Sequence, residues 1–290
     1  MKKRLDIALV ERGLATSRTQ AQALVMEGKV RVSGQTEHKS SRQVDDETPV
    51  EVEAPPRFVS RGGEKLEGAF EIWGTGNGER GTAAAKAMAV ESGNGEWLAR
   101  RLVRQSLCGG GSLGEGGGTG LCAEGKICLD VGSSTGGFTD CLLQHGAAKV
   151  MAVDVGTNQL AYKLRTDPRV WVRENYNARF MKPEDLPDVP SLAVTDVSFI
   201  SLRLILPPIC DVLQDGGEIV ALIKPQFEVG KGNAPGGLVR DEALRLEARD
   251  AIVRFATDEL GLELLGLAES PIRGREMGNI EYLSYWRKTK

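Results

Sequence analysis

Apolar runs of strand length alternate with apolar stripes of helical spacing along the chain from residue 127 onward. Short apolar runs predict buried strands, and the segments between them predict amphipathic helices. This alternation predicts an α/β fold built on a doubly wound, mainly parallel, seven-stranded sheet. The last strand follows no long helix, so we expect it to insert antiparallel. The predicted strands are 127–131, 149–154, 169–172, 192–196, 217–224, 262–269 and 280–287, and the predicted helices are 136–145, 158–165, 201–213 and 240–260.

The first 56 residues carry a different pattern and are expected to form a separate, small α+β module. Apolar stripes around Leu5 and Leu24 predict two helices, and alternation over 29–32 predicts a short strand. Residues 1–43 hold nine Lys and Arg against four Asp and Glu, although the whole chain has a formal net charge of -3. This local excess of positive charge fits contact with nucleic-acid phosphates. An ordinary solvated charged face is the alternative.

The composition changes abruptly between residues 74 and 125. Fifteen of these fifty-two residues are glycine, which is typical of a flexible loop. Short helices are possible at 83–90 and 97–107. We interpret the segment as an insertion into the second domain, which spans 57–290, and its sequence indicates no purpose for it.

Cysteine usage and the N-terminus predict the compartment. The five cysteines contain no C-x-x-C pair, which indicates a reducing environment and no metal site. Asp6 and Glu11 interrupt the region where a signal peptide would be apolar. No run approaches the roughly eighteen apolar residues that a spanning helix needs. We therefore expect a cytoplasmic protein with no membrane partner.

The stretch 126–140, KICLDVGSSTGGFTD, predicts a nucleotide-type site. A buried strand ends at Asp130, and a loop of small residues leads into a helix N-terminus. The glycine spacing does not match the dinucleotide or triphosphate fingerprints. An acid before the loop and another, Asp154, about twenty residues later fit S-adenosylmethionine (SAM), because its methionine end is zwitterionic and its ribose needs an acceptor. On these residues alone, an ordinary strand–helix turn is the alternative.

Two further strands are predicted to end in charged residues. Lys224 closes the apolar run GEIVALIK, and Asp196 follows the strand at 192–196. Because ligands bind at the carboxyl ends of parallel strands, both side chains are expected to face the same site. A partly desolvated lysine steered by an acid is a candidate general base. A purely structural ion pair is the alternative.

Two resemblances complete the sequence-based interpretation. Residues 1–55 resemble the S4 RNA-binding domain through RLD, GLATSRTQA and EGKVRVSG. The chain as a whole resembles the hemolysin A/TlyA family of SAM-dependent ribosomal RNA 2'-O-methyltransferases, in which an S4 domain precedes an FtsJ/RrmJ-like methyltransferase domain. The segments that carry this second resemblance are SRGGEKL, LDVGSSTGGFTD, AVDVGTNQL, TDVSFISL, LIKPQFEVGKG and GNIEYL. The resemblance does not extend to residues 74–125.

The resemblance implies methylation of a ribose 2'-hydroxyl, with ribosomal RNA or a ribosomal subunit as the partner. It implies a catalytic Lys-Asp-Lys-Glu tetrad in which Lys224 is the base, Asp196 pairs with it, and Lys65 and Glu281 orient the hydroxyl. It also implies RNA contacts from the first module, which we assign to Arg4, Arg18, Lys29 and Arg31. The predicted SAM-binding residues are Asp130, Gly132, Ser133, Ser134, Thr135, Gly136, Gly137, Phe138, Asp154 and Asp196.

Three other functions remain open on the sequence. A ribosome-associated RNA-binding protein with an inactive catalytic domain is one, although all four tetrad positions are occupied. A membrane-lysing protein is another, as the family name suggests, but it lacks a spanning segment. A nicotinamide enzyme is disfavoured by the glycine spacing.

Overall fold

The computed structural model describes residues 2–53, 56–74, 120–230, 232–274 and 278–289. The chain divides into two compact units, Met1–Arg57 and Phe58–Lys290. Most of the predicted insertion, residues 75–119, lies outside the described residues, and so do the two helices predicted within it.

The first unit packs two helices against short strands. An apolar core of nine buried residues, among them Leu5, Leu9 and Val25, joins these elements. Ser17 caps the second helix, because its side chain accepts a hydrogen bond from the backbone N–H of Gln20. The helices are α1 (Leu5–Glu11) and α2 (Arg18–Met26), and the strands are β1 (Lys3–Arg4), β2 (Val30–Val32), β3 (Gln35–Thr36), β4 (Gln43–Val44) and β5 (Val50–Val52). Strand β1 pairs with β4, and β2 lies between β3 and β5.

The second unit is built on a seven-stranded sheet. The order of the strands is β11-β12-β10-β9-β6-β7-β8. Strand β12 is antiparallel to both of its neighbours, and the pairs among β10, β9, β6, β7 and β8 are parallel. The strands are β6 (Ile127–Val131), β7 (Lys149–Val153), β8 (Val170–Arg173), β9 (Leu192–Thr195), β10 (Glu218–Ile223), β11 (Glu263–Glu269) and β12 (Tyr282–Arg287). The predicted seven-stranded, mainly parallel sheet is confirmed.

Both faces of this sheet are buried. Successive residues of a strand point to opposite faces, so Leu129 of β6 lies in one apolar core and Cys128 in the other. The helices that cover the sheet are α3 (Gly62–Trp73), α4 (Gly137–Gln144), α5 (Tyr162–Arg165), α6 (Leu206–Val212), α7 (Pro225–Glu228) and α8 (Glu242–Arg254). Short 3-10 turns cover Ala178–Phe180, Pro183–Asp185, Leu202–Leu204 and Pro235–Gly237, and a π-helical turn covers Phe255–Glu259.

Two predicted helices are shorter than the sequence pattern indicated, for identifiable reasons. The segment 158–165 contains only the four-residue α5, because the Glu174 carboxylate accepts the backbone N–H groups of Asn158, Gln159 and Leu160 and holds them outside a helix. The segment 201–213 begins as a 3-10 turn, and α6 starts only at Leu206, since prolines occupy its first turn.

The other sequence-wide expectations concern cysteines and membranes. The four cysteines among the described residues are free thiols. Among the described helices, none has the length and apolar character that crossing a membrane requires.

Candidate active site

A cavity of about 730 Å³ opens in the second unit at the carboxyl ends of β6, β9 and β10. Its wall includes the start of α3, the glycine loop after β6, and the segment before β12. Lys65, Asp196, Lys224 and Glu281 all line it. The volume is in the range of small-molecule and cofactor sites.

The four tetrad side chains form a continuous chain of contacts. Lys224 Nζ lies 2.5 Å from Asp196 Oδ1, and Lys65 Nζ lies 3.4 Å from Asp196 Oδ2. Lys65 Nζ also donates a hydrogen bond of 2.8 Å to Glu281 Oε2. Asp196 thus bridges the two ammonium groups, one on each carboxylate oxygen. The Lys224 contact is an ion pair without hydrogen-bond alignment, because Asp196 Oδ1 accepts no hydrogen bond from the residues that the structure describes.

Sheet register places three of these residues side by side. Asp196 follows the last residue of β9, and Lys224 follows the last residue of β10, its parallel neighbour. Glu281 immediately precedes Tyr282, which pairs with Ile223 in the antiparallel β12–β10 ladder. The carboxyl ends of the parallel strands β9 and β10 and the amino end of the antiparallel strand β12 therefore lie side by side at the same end of the sheet.

Lys65 reaches the same edge from helix α3, and glycines make this possible. A Cβ on Gly137, the first residue of α4, would lie 2.4 Å from Ser60 Oγ and 2.7 Å from the backbone nitrogen of Gly63. Only a glycine lets the starts of the two helices approach so closely. Gly137 thus allows α3 to dock against the start of α4 and brings Lys65 to the cavity.

The surroundings of Lys65 keep its ammonium charged. Burial alone would lower the pKa of the Lys65 ammonium, but the facing carboxylates of Asp196 and Glu281 outweigh this effect and raise it. Glu281 is almost wholly buried and holds its second oxygen 3.2 Å from Gln226 Nε2.

Most residues of the glycine loop line the cavity. Gly132, Ser133, Ser134, Thr135, Gly137 and Phe138 are all lining residues. Gly136 is not among them. Its φ is +96°, and an added Cβ would collide with Leu164 Cδ1 at 2.3 Å, so this glycine serves the packing beneath the loop.

The two predicted cofactor acids lie behind the loop and do not line the cavity. Asp130 is fully buried, and its Oδ2 accepts a hydrogen bond of 2.6 Å from Thr139 Oγ1, while its Oδ1 has no hydrogen-bond partner among the described residues. Burial raises the pKa of Asp130 to about 7. Asp154 accepts hydrogen bonds from the backbone nitrogens of Ser134 and Gly156 at 2.8 and 2.6 Å, so it shapes the loop. Their roles toward SAM stay predictions.

Sequence reasoning missed several residues of the cavity wall. Ser198 Oγ accepts a hydrogen bond of 2.8 Å from Lys224 Nζ. Gln226 has a buried Oε1 that finds no hydrogen-bond partner within the described part of the chain. Phe199 is 84% exposed with a φ of +63°, and its ring lies 5.2 Å from that of Phe227. All four stand in TDVSF and KPQF, beside predicted residues, but their roles depend on contacts that the sequence pattern does not reveal.

In the first unit, the structure brings two predicted RNA-binding residues together. Asp6 is fully buried and accepts hydrogen bonds of 3.0 Å from Arg4 Nε and Arg18 Nε. These interactions, led by that with Arg4, hold the pKa of Asp6 well below its usual range. Lys29 forms an ion pair of 2.6 Å with Glu27, and Arg31 lies exposed on β2. Contact of these four residues with RNA stays a prediction.

One group of metal-type ligands lies between α3 and α4, away from the cavity. It consists of Glu67, Cys141 and His145. His145 Nε2 lies 2.7 Å from Glu67 Oε2, which is a hydrogen-bond distance. A nitrogen ligand and an oxygen ligand of the same tetrahedral zinc ion would lie about 3.3 Å apart, which is farther than this distance. We interpret the group as a hydrogen-bonded helix contact, and the absence of a metal stays a prediction.

This combination of sheet, glycine loop and charged tetrad agrees with the match of the chain to known families. Residues 117–288 match the FtsJ-like methyltransferase family, and residues 3–50 match the S4 domain. The chain belongs to the hemolysin A/TlyA family of FtsJ-like methyltransferases. Its N-terminal module is accordingly an S4 domain, and its larger unit is a methyltransferase domain of this family.

Relatives in this family span almost the whole chain. A 16S/23S rRNA (cytidine-2'-O)-methyltransferase TlyA of Mycobacterium tuberculosis is 40% identical, over 99% of this chain and 90% of its own length. A hemolysin A of Brachyspira hyodysenteriae is 38% identical, over 98% of this chain and 99% of its own length. A solved structure of a proposed hemolysin from Streptococcus thermophilus is 38% identical, has a TM-score of 0.63, and covers 100% of this chain and 89% of that one.

Proposed function

We propose that this protein transfers a methyl group from SAM to a ribose 2'-hydroxyl of ribosomal RNA. The arrangement of the tetrad is the observation that carries the proposal. Lys65 lies between two carboxylates, whereas Lys224 faces one carboxylate and one neutral hydroxyl. The two lysines are therefore suited to different tasks.

Lys224 is the general base. A ribose hydroxyl is a poor nucleophile until its proton is withdrawn during the attack on the methyl carbon. The Lys224 ammonium first releases a proton to solvent. The neutral amine then accepts the hydroxyl proton as the O–CH₃ bond forms, and Asp196 stabilises the resulting ammonium. Lys65 remains protonated because its pKa is raised, so it donates hydrogen bonds and orients the acceptor oxygen. Glu281 holds the Lys65 side chain in place.

The residues of the glycine loop fit SAM. The loop presents backbone and small side chains to the cavity, so a ligand can approach closely. Ser133, Ser134 and Thr135 would meet its polar groups, and Asp196, a member of the tetrad, lines the same cavity. When bound, SAM supplies an electrophilic methyl group on a positively charged sulfur. Much of the rate enhancement then comes from positioning the hydroxyl against that methyl.

The S4 domain supplies RNA affinity. Arg4, Arg18, Lys29 and Arg31 would contact phosphates, which gives affinity and register with little sequence discrimination. The name of the Mycobacterium tuberculosis relative supports cytidine ribose in ribosomal RNA as the acceptor. Such a substrate implies that the protein works in the cytoplasm.

Incubation of the purified protein with ribosomal subunits and methyl-labelled SAM tests this proposal. Label should enter ribosomal RNA, and mapping should place it on ribose 2'-oxygens. Label on bases alone, or none on any ribosomal RNA or subunit offered, would contradict the proposal. Incorporation by a Lys224→Ala protein prepared in parallel measures the background.

A further inference from the structure

Lys224 is held on two sides in the cavity. Asp196 Oδ1 lies 2.5 Å from its Nζ, and Ser198 Oγ accepts a hydrogen bond of 2.8 Å from the same nitrogen. The Lys224 side chain is only 8% exposed, so few other arrangements are open to it. The geometry assigns to Ser198 a role as a positioning residue for the base, an inference that rests on the proposed function.

The tetrahedral nitrogen of Lys224 can meet a partner only in a few directions. Beyond its bond to carbon, the nitrogen has three directions for hydrogens or a lone pair. Ser198 occupies one of them through the hydrogen bond that Lys224 donates, while Asp196 attracts the nitrogen by charge without hydrogen-bond alignment. A remaining direction is available to the acceptor hydroxyl, which must lie within hydrogen-bond reach of the base.

The neutrality of the Ser198 hydroxyl also matters. Lys65, the other lysine, meets carboxylates at both of its contacts and has a raised pKa. A hydroxyl orients the nitrogen without adding a second negative charge beside it.

The loop that carries Ser198 is hydrogen-bonded to residues 224–228, the segment that also carries Lys224. Ser201 Oγ donates a hydrogen bond of 2.5 Å to Glu228 Oε2, and the backbone nitrogen of Leu202 donates one of 2.8 Å to Glu228 Oε1. Residues 224–228 therefore hold both ends of the loop, through Lys224 at one end and Glu228 at the other. The loop that carries Ser198 is therefore tied to the segment that carries the base.

Single-turnover methylation of RNA, measured from pH 6 to 10, tests the assignment through two substitutions with opposite effects. Ser198→Ala should slow transfer roughly ten- to hundredfold, because the base loses its orientation. It should also move the midpoint of the pH–rate profile downward by about one pH unit, since an acceptor for the protonated amine is lost. Ser198→Asp should move the midpoint upward by about one unit or more, because the added charge favours the protonated amine.

Two controls separate this role from a structural one. Ser201→Ala removes a hydroxyl from the same loop that does not contact Lys224, and it should leave the midpoint in place because the Leu202 backbone nitrogen still holds the loop to Glu228 Oε1. Ser198→Thr keeps a hydroxyl and should restore most of the rate. Affinity for S-adenosylhomocysteine and the unfolding temperature establish that each variant is folded.

The possible results distinguish this inference from the proposed function. A wild-type enzyme that methylates ribose, with midpoints unmoved in both Ser198→Ala and Ser198→Asp, would overturn the assignment to Ser198 alone. A Ser201→Ala variant that shifts the midpoint as Ser198→Ala does would also overturn it. A wild-type protein that methylates no ribose would overturn the function and this inference together.

Discussion

Lys65 and Glu281 are 216 positions apart in the sequence, yet Lys65 Nζ donates a hydrogen bond of 2.8 Å to Glu281 Oε2 in a buried environment. Each charge would be costly to bury without the other. We expect Lys65→Ala and Glu281→Ala to destabilise the protein separately by about 2 kcal/mol each, and together by clearly less than the sum. A double-mutant cycle from chemical denaturation measures this coupling. Strict additivity would show that the pair contributes nothing as a pair.

The contact between Gly137 and α3 should be sensitive to a single methyl group. Gly137→Ala would place a Cβ 2.7 Å from the backbone of Gly63, which must then shift. We expect a loss of about 1–3 kcal/mol of stability and a fall in methyl transfer as Lys65 is displaced. Gly62→Ala is the matched control, because its nearest new contact is an ordinary 3.5 Å. Equal thermal stability and activity of the two variants would refute this account of α3 docking.

The S4 domain should bind RNA through charge. Arg31 is exposed on β2, so Arg31→Glu changes the surface with little effect on the core. We expect weaker RNA binding and a salt dependence of log affinity reduced by about one unit of slope. Affinity for S-adenosylhomocysteine, measured by calorimetry on the same sample, should not change. RNA affinity equal to that of the wild type at every salt concentration would show that another surface is used.

The segment 75–119 should be dispensable for folding. Its two flanks are joined directly, since the backbone nitrogen of Leu121 donates a hydrogen bond of 2.6 Å to the carbonyl of Trp73, and Leu121 is buried. A short Gly/Ser linker can therefore replace the segment if residues 120–125 are kept. Calorimetry should show one cooperative transition near the wild-type temperature. A lost or strongly lowered transition would show that the segment belongs to the core.

The sequence predicted the sheet and the residues at its strand ends, because buried strands have a strong apolar pattern and parallel ends face one site. Asp196 and Lys224 are of this kind. Lys65 was placed only through resemblance, since its position depends on glycine contacts between α3 and α4. Ser198 and Gln226 escaped prediction because a polar residue beside a strand end looks the same whether or not it meets a catalytic side chain. The truncated helix at 162–165 depends on Glu174, whose contacts are tertiary.

The most direct test of the central claim is the single-turnover rate of methyl transfer in Lys224→Ala. If Lys224 accepts the hydroxyl proton, transfer should fall by at least about a hundredfold, while affinities for S-adenosylhomocysteine and RNA stay close to those of the wild type. Single-turnover conditions exclude product release as the limiting step. Lys65→Ala, measured beside it, should lose less, because Lys65 orients the hydroxyl and does not take its proton. A Lys224→Ala enzyme that transfers methyl at close to the wild-type rate would contradict the account.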